Sequence, residues 1–346
     1  MRGAGKRAVT RRTAAPAAFA LAALALAGCV DVPMPVPTPE YTSTYVAPPP
    51  TVLAPLTGIA VQGGTVLGPS LAAKIDNHVD ARPQVGLEHS DLVFEELVEG
   101  GLTRYVGVWQ SDVPGEIGPI RSIRPMDPDI ISPLGGIVAY SGGQLRFVQA
   151  MKDTGVYNAI HGQADTEAVM YRTNDKEAPH NVLVRAPELI ALHADLVPPG
   201  QQFAFAPDAV SSTAAREGAP TATIALRFGA PSTPSWNSDP ATGRFVRFQA
   251  GVADLDTVGG QLSAANVIVL RVPIGNDGGV PKTLLIGTGE AWVSSAGATV
   301  HATWSKASRT DSIRLIDDTG TVVRLAPGNS WIELVPQSGD AQFTAP

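Results

Sequence analysis

Four short strings concentrate the residues able to do chemistry. They are Lys74-Ile75-Asp76-Asn77-His78 with Ala81-Arg82-Pro83-Gln84; Glu95-Glu96 with Glu99-Gly100-Gly101-Leu102-Thr103-Arg104; Ile117-Gly118-Pro119-Ile120-Arg121-Ser122-Ile123-Arg124; and Ala178-Pro179-His180-Asn181. His180 follows a proline and precedes an apolar run, so it can act as a general base oriented by Asp76 or Glu99, or simply close a turn by hydrogen bonding. The guanidinium forks of Arg104, Arg121 and Arg124 match carboxylate or phosphate oxygens two at a time. The same charges have a structural reading. Glu95 or Glu99 within an apolar strand is costly to bury unless paired, and these arginines are natural partners. Both readings stay open at this point.

Ser141-Gly142-Gly143 follows an apolar strand and precedes a helix. Free backbone N–H groups and the positive helix end would then face one spot, suited to an anion with Arg121, Arg124 or Arg146 nearby. The triplet has no Walker lysine and no dinucleotide spacing, and glycine torsions alone would explain a tight turn. Asp76, His78 and His180 offer metal-ligand atoms, but no HExxH or Asp-x-Asp loop accompanies them. The expectation is therefore no metal and no cofactor. Ser122 has no nucleophile-elbow context.

The elements that must position these residues alternate up to about Asp195. Ser70 to Asp76 reads as a strand, and Leu92 to Val98 and Thr103 to Gln110 as a strand pair turning at Gly100-Gly101. The first of that pair can also be drawn as a helix capped by Ser90. Pro125 to Leu134 predicts a short helix, Gly136 to Tyr140 a strand, and Leu145 to Lys152 a helix stopping at Gly155. Asn181 to Val184 follows as a strand and Pro187 to Leu196 as a helix. Residues 197–220 are rich in Pro, Gly and Ala and read as a linker. From 221 to 346 short β segments are separated by turn signals such as Asn276-Asp277-Gly278-Gly279. Trp292, Trp304 and Trp331 fall on separate segments and suit a core, with an exposed ring able to stack on sugar. The expected fold class is α+β: an N-terminal α/β-type domain with a mixed sheet, 56–196, then a mostly antiparallel β domain, 221–346.

The N-terminus carries a different message. Arg2, Lys6, Arg7, Arg11 and Arg12 precede an apolar run, Ala14 to Ala27, and Leu26-Ala27-Gly28 leads into Cys29, the one cysteine of the chain. That is the layout of a bacterial lipoprotein signal over 1–28, cut to leave a lipidated Cys29. The run is shorter than the roughly 20 residues a bilayer-spanning helix needs. Residues 29–55, with alternating Pro33, Pro35, Pro37 and Pro39, read as an extended tether. Without the five signal cations the charge is 20 basic against 32 acidic residues, a balance of −12. Such a chain has no basic stripe for nucleic acid and no attraction to an anionic membrane, so the lipid must hold it there.

The strings Ile-Asp-Asn-His, Ala-Arg-Pro-Gln, Glu-Gly-Gly-x-Thr-Arg, Ile-Gly-Pro-Ile-Arg-Ser-x-Arg, Ser-Gly-Gly and Ala-Pro-His-Asn, in this order, resemble the YerB-like family of bacterial lipoproteins. Gln261-Leu262 to Val269 and Pro327-Gly328-x-x-Trp331-Ile332 continue the resemblance, which spans about Leu56 to Val335. One departure is Ala250 to Leu255, less polar than the stretch that family members carry there. The resemblance implies a lipoprotein location and a two-part architecture, and no known reaction.

Together these readings give a lipid-anchored protein on the extracytoplasmic face of the cell membrane, acylated on Cys29 with chains such as palmitate. It is expected to bind an anionic cell-wall component or an envelope protein, not nucleic acid. The candidate binding residues are Asp76, Asn77, Arg82, Glu95, Glu99, Arg104, Arg121, Arg124, Ser141, Gly142, Gly143, His180 and Asn181. The alternative is a wall-directed hydrolase or transferase using Asp76 or Glu99 with His180 for acid–base chemistry.

Overall fold

The computed structural model describes residues 52–61 and 67–346, which fall within one compact unit, Pro49–Pro346. Cys29, the run before it and the tether up to residue 51 lie outside the described residues. Among the described residues no helix is long and apolar enough to cross a membrane.

Apolar runs become strands where they are flanked on both sides. Leu92–Leu97 pairs antiparallel with Thr103–Trp109 and parallel with Ser330–Pro336, which excludes the helical alternative. Thr103–Trp109 pairs next with Leu71–Asp76, whose six residues are all buried. Ile137–Tyr140 and Tyr157–Ile160 then add in parallel. On the far side Ser330–Pro336 is parallel to Asn266–Val272, followed by antiparallel Gly287–Ser295 and Ala298–Lys306. With two short strands this makes an 11-stranded mixed sheet.

Successive strand residues face opposite sides, so the sheet has two cores. One face, with Phe94, Val106 and Val138, packs against Ile123, Met126, Phe147 and Phe205. The other, with Val93, Tyr105 and Val269, packs partly against a 6-stranded antiparallel sheet through Ile224, Trp236 and Phe245. Trp304 and Trp331 are buried, while Trp292 is half-buried beside Phe343 and His301.

The chain is mostly β, with mixed and antiparallel sheets and few helices. Helix is scarcer than the α/β-type expectation. Pro125 to Leu134 yields only Asp127–Ile131 and a tight turn, Ser132–Leu134, because Pro133 has no N–H to continue the helix.

The segments 56–196 and 221–346 lie within one compact unit. Both halves share the large sheet, since Leu92–Leu97 and Ser330–Pro336 are neighbours in it. The stretch 197–220, read as a linker, is folded in. Phe203 and Phe205 are buried, Ala204–Phe205 pairs with Arg324–Leu325, and Ala219–Pro220 pairs with Ala298–Thr299. Its aromatic residues supply core that its Pro/Gly-rich composition conceals.

Candidate functional site

The cleft lies where several strands end. Asp76 is the last residue of Leu71–Asp76, Glu99 follows Leu92–Leu97, and Arg104 is the second residue of Thr103–Trp109, directly across from Asp76. Arg121 and Arg124 arrive on a loop stitched to the sheet edge: Arg121 N–H donates to the Lys74 carbonyl, and Ser141 N–H donates to the Arg121 carbonyl. His180 enters from the turn before Val182–Arg185. The result is a solvent-open cleft of about 210 Å³ lined by Asp76, His78, Glu99, Arg104, Arg121, Arg124 and His180, with Val98, Leu102 and Thr103.

Asp76 organises one wall. Its Oδ2 accepts the His180 Nδ1–H at 2.6 Å, and its Oδ1 accepts the His78 backbone N–H at 3.2 Å. Arg121 Nε is 2.9 Å from Asp76 Oδ2, close enough for an ion pair but not aligned as a hydrogen bond, so that N–H keeps its donor capacity. Opposite, Arg124 Nε donates to Glu99 Oε2 at 2.8 Å. Burial pushes the Glu99 carboxyl up, but the Arg124 hydrogen bond and the charges of Arg124 and Arg104 outweigh it and hold it below its usual value.

Arg104 shows the character of the site most clearly. It is only 7% exposed, donates Nη1 to the Ser122 carbonyl at 2.9 Å, and leaves Nε without a partner. Burial first, then the like charges of Arg124 and Arg121, depress its pKa to about 10. Three guanidinium groups thus crowd two carboxylates, a surplus that an anion would relieve.

Behind the cleft sits a sealed triad. Lys74 contacts Glu96 and reaches Asp127 Oδ1 at 2.8 Å, with all three side chains fully buried. Asp127 Oδ2 accepts the Arg124 N–H at 2.5 Å, so the triad sets the arginine loop. Burial, and then the neighbouring Asp127 charge, push the Glu96 carboxyl up to about 8 against the pull of Lys74.

Asp76, Glu99, Arg104, Arg121, Arg124 and His180 therefore come together, and seven other expected residues do not line the cleft. Glu95 points to the opposite face, because it neighbours Glu96 on one strand, and pairs with the buried Arg247 at 2.5 Å. Asn181 is turned inward, accepting from Arg172 Nη1 and donating to the Thr173 carbonyl. Asn77 and Arg82 brace each other: Arg82 Nε donates to Asn77 Oδ1, and Asn77 Nδ2 donates to Thr103 Oγ1. Arg82 lines the neighbouring depression instead.

Ser141, Gly142 and Gly143 support the arginine loop from outside. Gly142 has φ +68° and its carbonyl accepts the Ile123 N–H, while a Cβ on Gly143 would meet Ile123 Cγ2 at 3.0 Å. Arg146 is drawn away to Asp277. The turn is thus a torsional and packing requirement. Thr103, Leu102 and Val98 were not singled out as site residues, although Thr103 stands within the Glu-Gly-Gly-x-Thr-Arg string. The Ala250 to Leu255 departure has a plain role: its Asp254 accepts from Arg247 Nε at 3.0 Å.

Fold and site define a class: a mostly β protein with a mixed sheet that opens an arginine- and histidine-lined cleft at its strand ends. The chain belongs to the family described as "Protein of unknown function (DUF3048)", matching its N-terminal domain over residues 56–196 and its C-terminal domain over 224–332. It is 30% identical over 128 residues to the "Putative lipoprotein YerB" of Bacillus subtilis (strain 168), a match covering 37% of this chain and 38% of that protein. The crystal structure of the YerB protein from Bacillus subtilis shares the fold, with a TM-score of 0.73 at 20% identity over 84% of this chain and 99% of that one.

Proposed function

We propose that this protein is a lipid-anchored envelope lipoprotein, held by Cys29 on the extracytoplasmic face of the membrane, that binds a carboxylate- or phosphate-bearing wall component or partner in its arginine cleft. The lipobox layout and a relative that carries the lipoprotein name support the anchoring. The observation that carries the binding reading is Arg104, nearly buried, with an unpartnered Nε and two further guanidinium groups lining the same cleft.

Titration of the purified chain with inorganic phosphate, and with a short peptide carrying either a free or an amidated C-terminus, tests this. Charged hydrogen bonds contribute roughly 1.5–3 kcal/mol each. Arg121→Ala should therefore weaken binding about 10-fold or more, and amidation should abolish the peptide signal if a carboxylate is recognised. Unchanged binding in Arg121→Ala contradicts the reading.

A second reading, hydrolase or transferase chemistry, is favoured by one contact. The Asp76–His180 hydrogen bond orients the imidazole as a general base requires. Turnover of a wall polymer that vanishes in His180→Ala would select it over simple binding.

A further inference from the structure

His180 lines both the cleft and a second depression of about 660 Å³, which Asp80 also lines. At this junction we propose a site for a divalent transition-metal ion of the zinc class, held by His78, Asp80 and His180. It adds to the anion reading without depending on it.

Each of the three residues offers a ligand atom, and these atoms lie within 4.8 Å of one another. His78 Nδ1 and Asp80 Oδ2 are 3.3 Å apart. That is the edge of a tetrahedron around an ion with bonds of about 2.0–2.1 Å, the bond length zinc makes to imidazole and carboxylate. His180 is prepared for ligation from behind. Its Nδ1–H is taken by Asp76 at 2.6 Å, which fixes the tautomer and leaves the other ring nitrogen with a free lone pair. A carboxylate in that position behind a ligating histidine orients the ring and raises its basicity. Asp76 is thus the supporting residue rather than the ligand, and its Oδ1 also fastens the His78 backbone.

The two imidazoles stack at 4.7 Å with 16° between their planes, so one ring must turn for both lone pairs to meet an ion. His78 Nδ1 accepts the Asp80 backbone N–H at 3.3 Å, a contact the ion would replace, and the His78 and Asp80 side chains are 36% and 66% exposed, which gives them room to turn. Two imidazoles with one carboxylate favour zinc, cobalt or nickel over magnesium or calcium, which prefer all-oxygen sets. Three protein ligands leave one position open. An oxygen of an anion held by the arginines would fill it.

Calorimetric titration of the tag-free full-length chain in detergent with zinc chloride, and visible absorption after loading with cobalt(II), tests the site. The expected result is one ion per chain, with tetrahedral cobalt bands. His180→Ala and the exposed Asp80→Asn should each weaken binding at least about 10-fold, and Asp76→Asn should cost roughly 10–100-fold. His301→Ala should leave it unchanged; that histidine sits between Glu290 and Asp318 elsewhere. No ion at one-to-one stoichiometry, or affinity lost in His301→Ala but kept in His180→Ala and Asp80→Asn, overturns the proposal. Phosphate binding that still depends on Arg121 would leave the anion reading standing in either case.

Discussion

Arg247 and the three cleft arginines occupy opposite faces of the same strands and are held on opposite principles. Arg247 is fully buried and spends every donor arm: Nε on Asp254 at 3.0 Å, Nη1 on Glu333 at 2.8 Å and Nη2 on Glu95 at 2.5 Å. Trp331 and Trp236 lie against the guanidinium at 4.5 and 5.1 Å. Three carboxylates surround one cation, and burial, then the Glu95 charge, push the Glu333 carboxyl well up. In the cleft the ratio is reversed: three guanidinium groups face Asp76 and Glu99 before open solvent. An arginine whose donors are all satisfied holds a fold together. A group of arginines with donors to spare has the capacity left over that the proposed anion would use.

The comparison can be broken from the Arg247 side first. Arg247→Met strands three buried carboxylates, and removing one partner of a buried pair costs about 3–5 kcal/mol. The variant should fold poorly or melt far below the parent, as thermal unfolding would report, and neutralising Glu95 and Glu333 to Gln in the same chain should recover part of the loss. A stable Arg247→Met protein would erase the contrast with Arg121.

The sealed triad behind the cleft gives the next largest effect. The folded-state pKa of Glu96, about 8, lies above its ordinary 4.5. A carboxyl with a raised pKa contributes stability that is complete below about 4.5 and is lost as pH rises through about 8. The unfolding free energy from urea titrations should fall across that window, by no more than about 1.4 kcal/mol per pH unit from this group. Glu96→Gln should flatten that part of the profile. An unchanged slope would place the proton on another group.

The smallest effect sharpens the boundary of the site. Gly142→Ala meets open space but forces a left-handed φ on alanine, a strain of about 1 kcal/mol. Melting should drop by a few degrees while phosphate binding stays as it was. Loss of binding would return the Ser141-Gly142-Gly143 turn to the site.

How much of this was legible in the sequence depends on range. The strands around Asp76, Glu96 and Arg104 declare themselves as apolar runs, and the six converging cleft residues lie in the four strings that combine charge with glycine or proline. Glu95 could not be placed from its neighbours. Its partner Arg247 lies 152 residues away, and a strand assignment does not say which face meets which core. The continuity of the large sheet was hidden for the same reason. Leu92–Leu97 and Ser330–Pro336 pair in parallel, which needs no turn between them and so leaves no local signal. Asn181 and the Ser141–Gly143 turn stand outside the cleft lining, since side-chain polarity and glycine content suit structural contacts as well as ligands.

The most direct measurement is NMR of the arginine side-chain Nε–Hε resonances during titration with phosphate. Shifts at Arg104, Arg121 and Arg124, with Arg247 unmoved, are the predicted outcome. Silence at those three, or equal movement at the exposed Arg314, would contradict an anion site in the cleft.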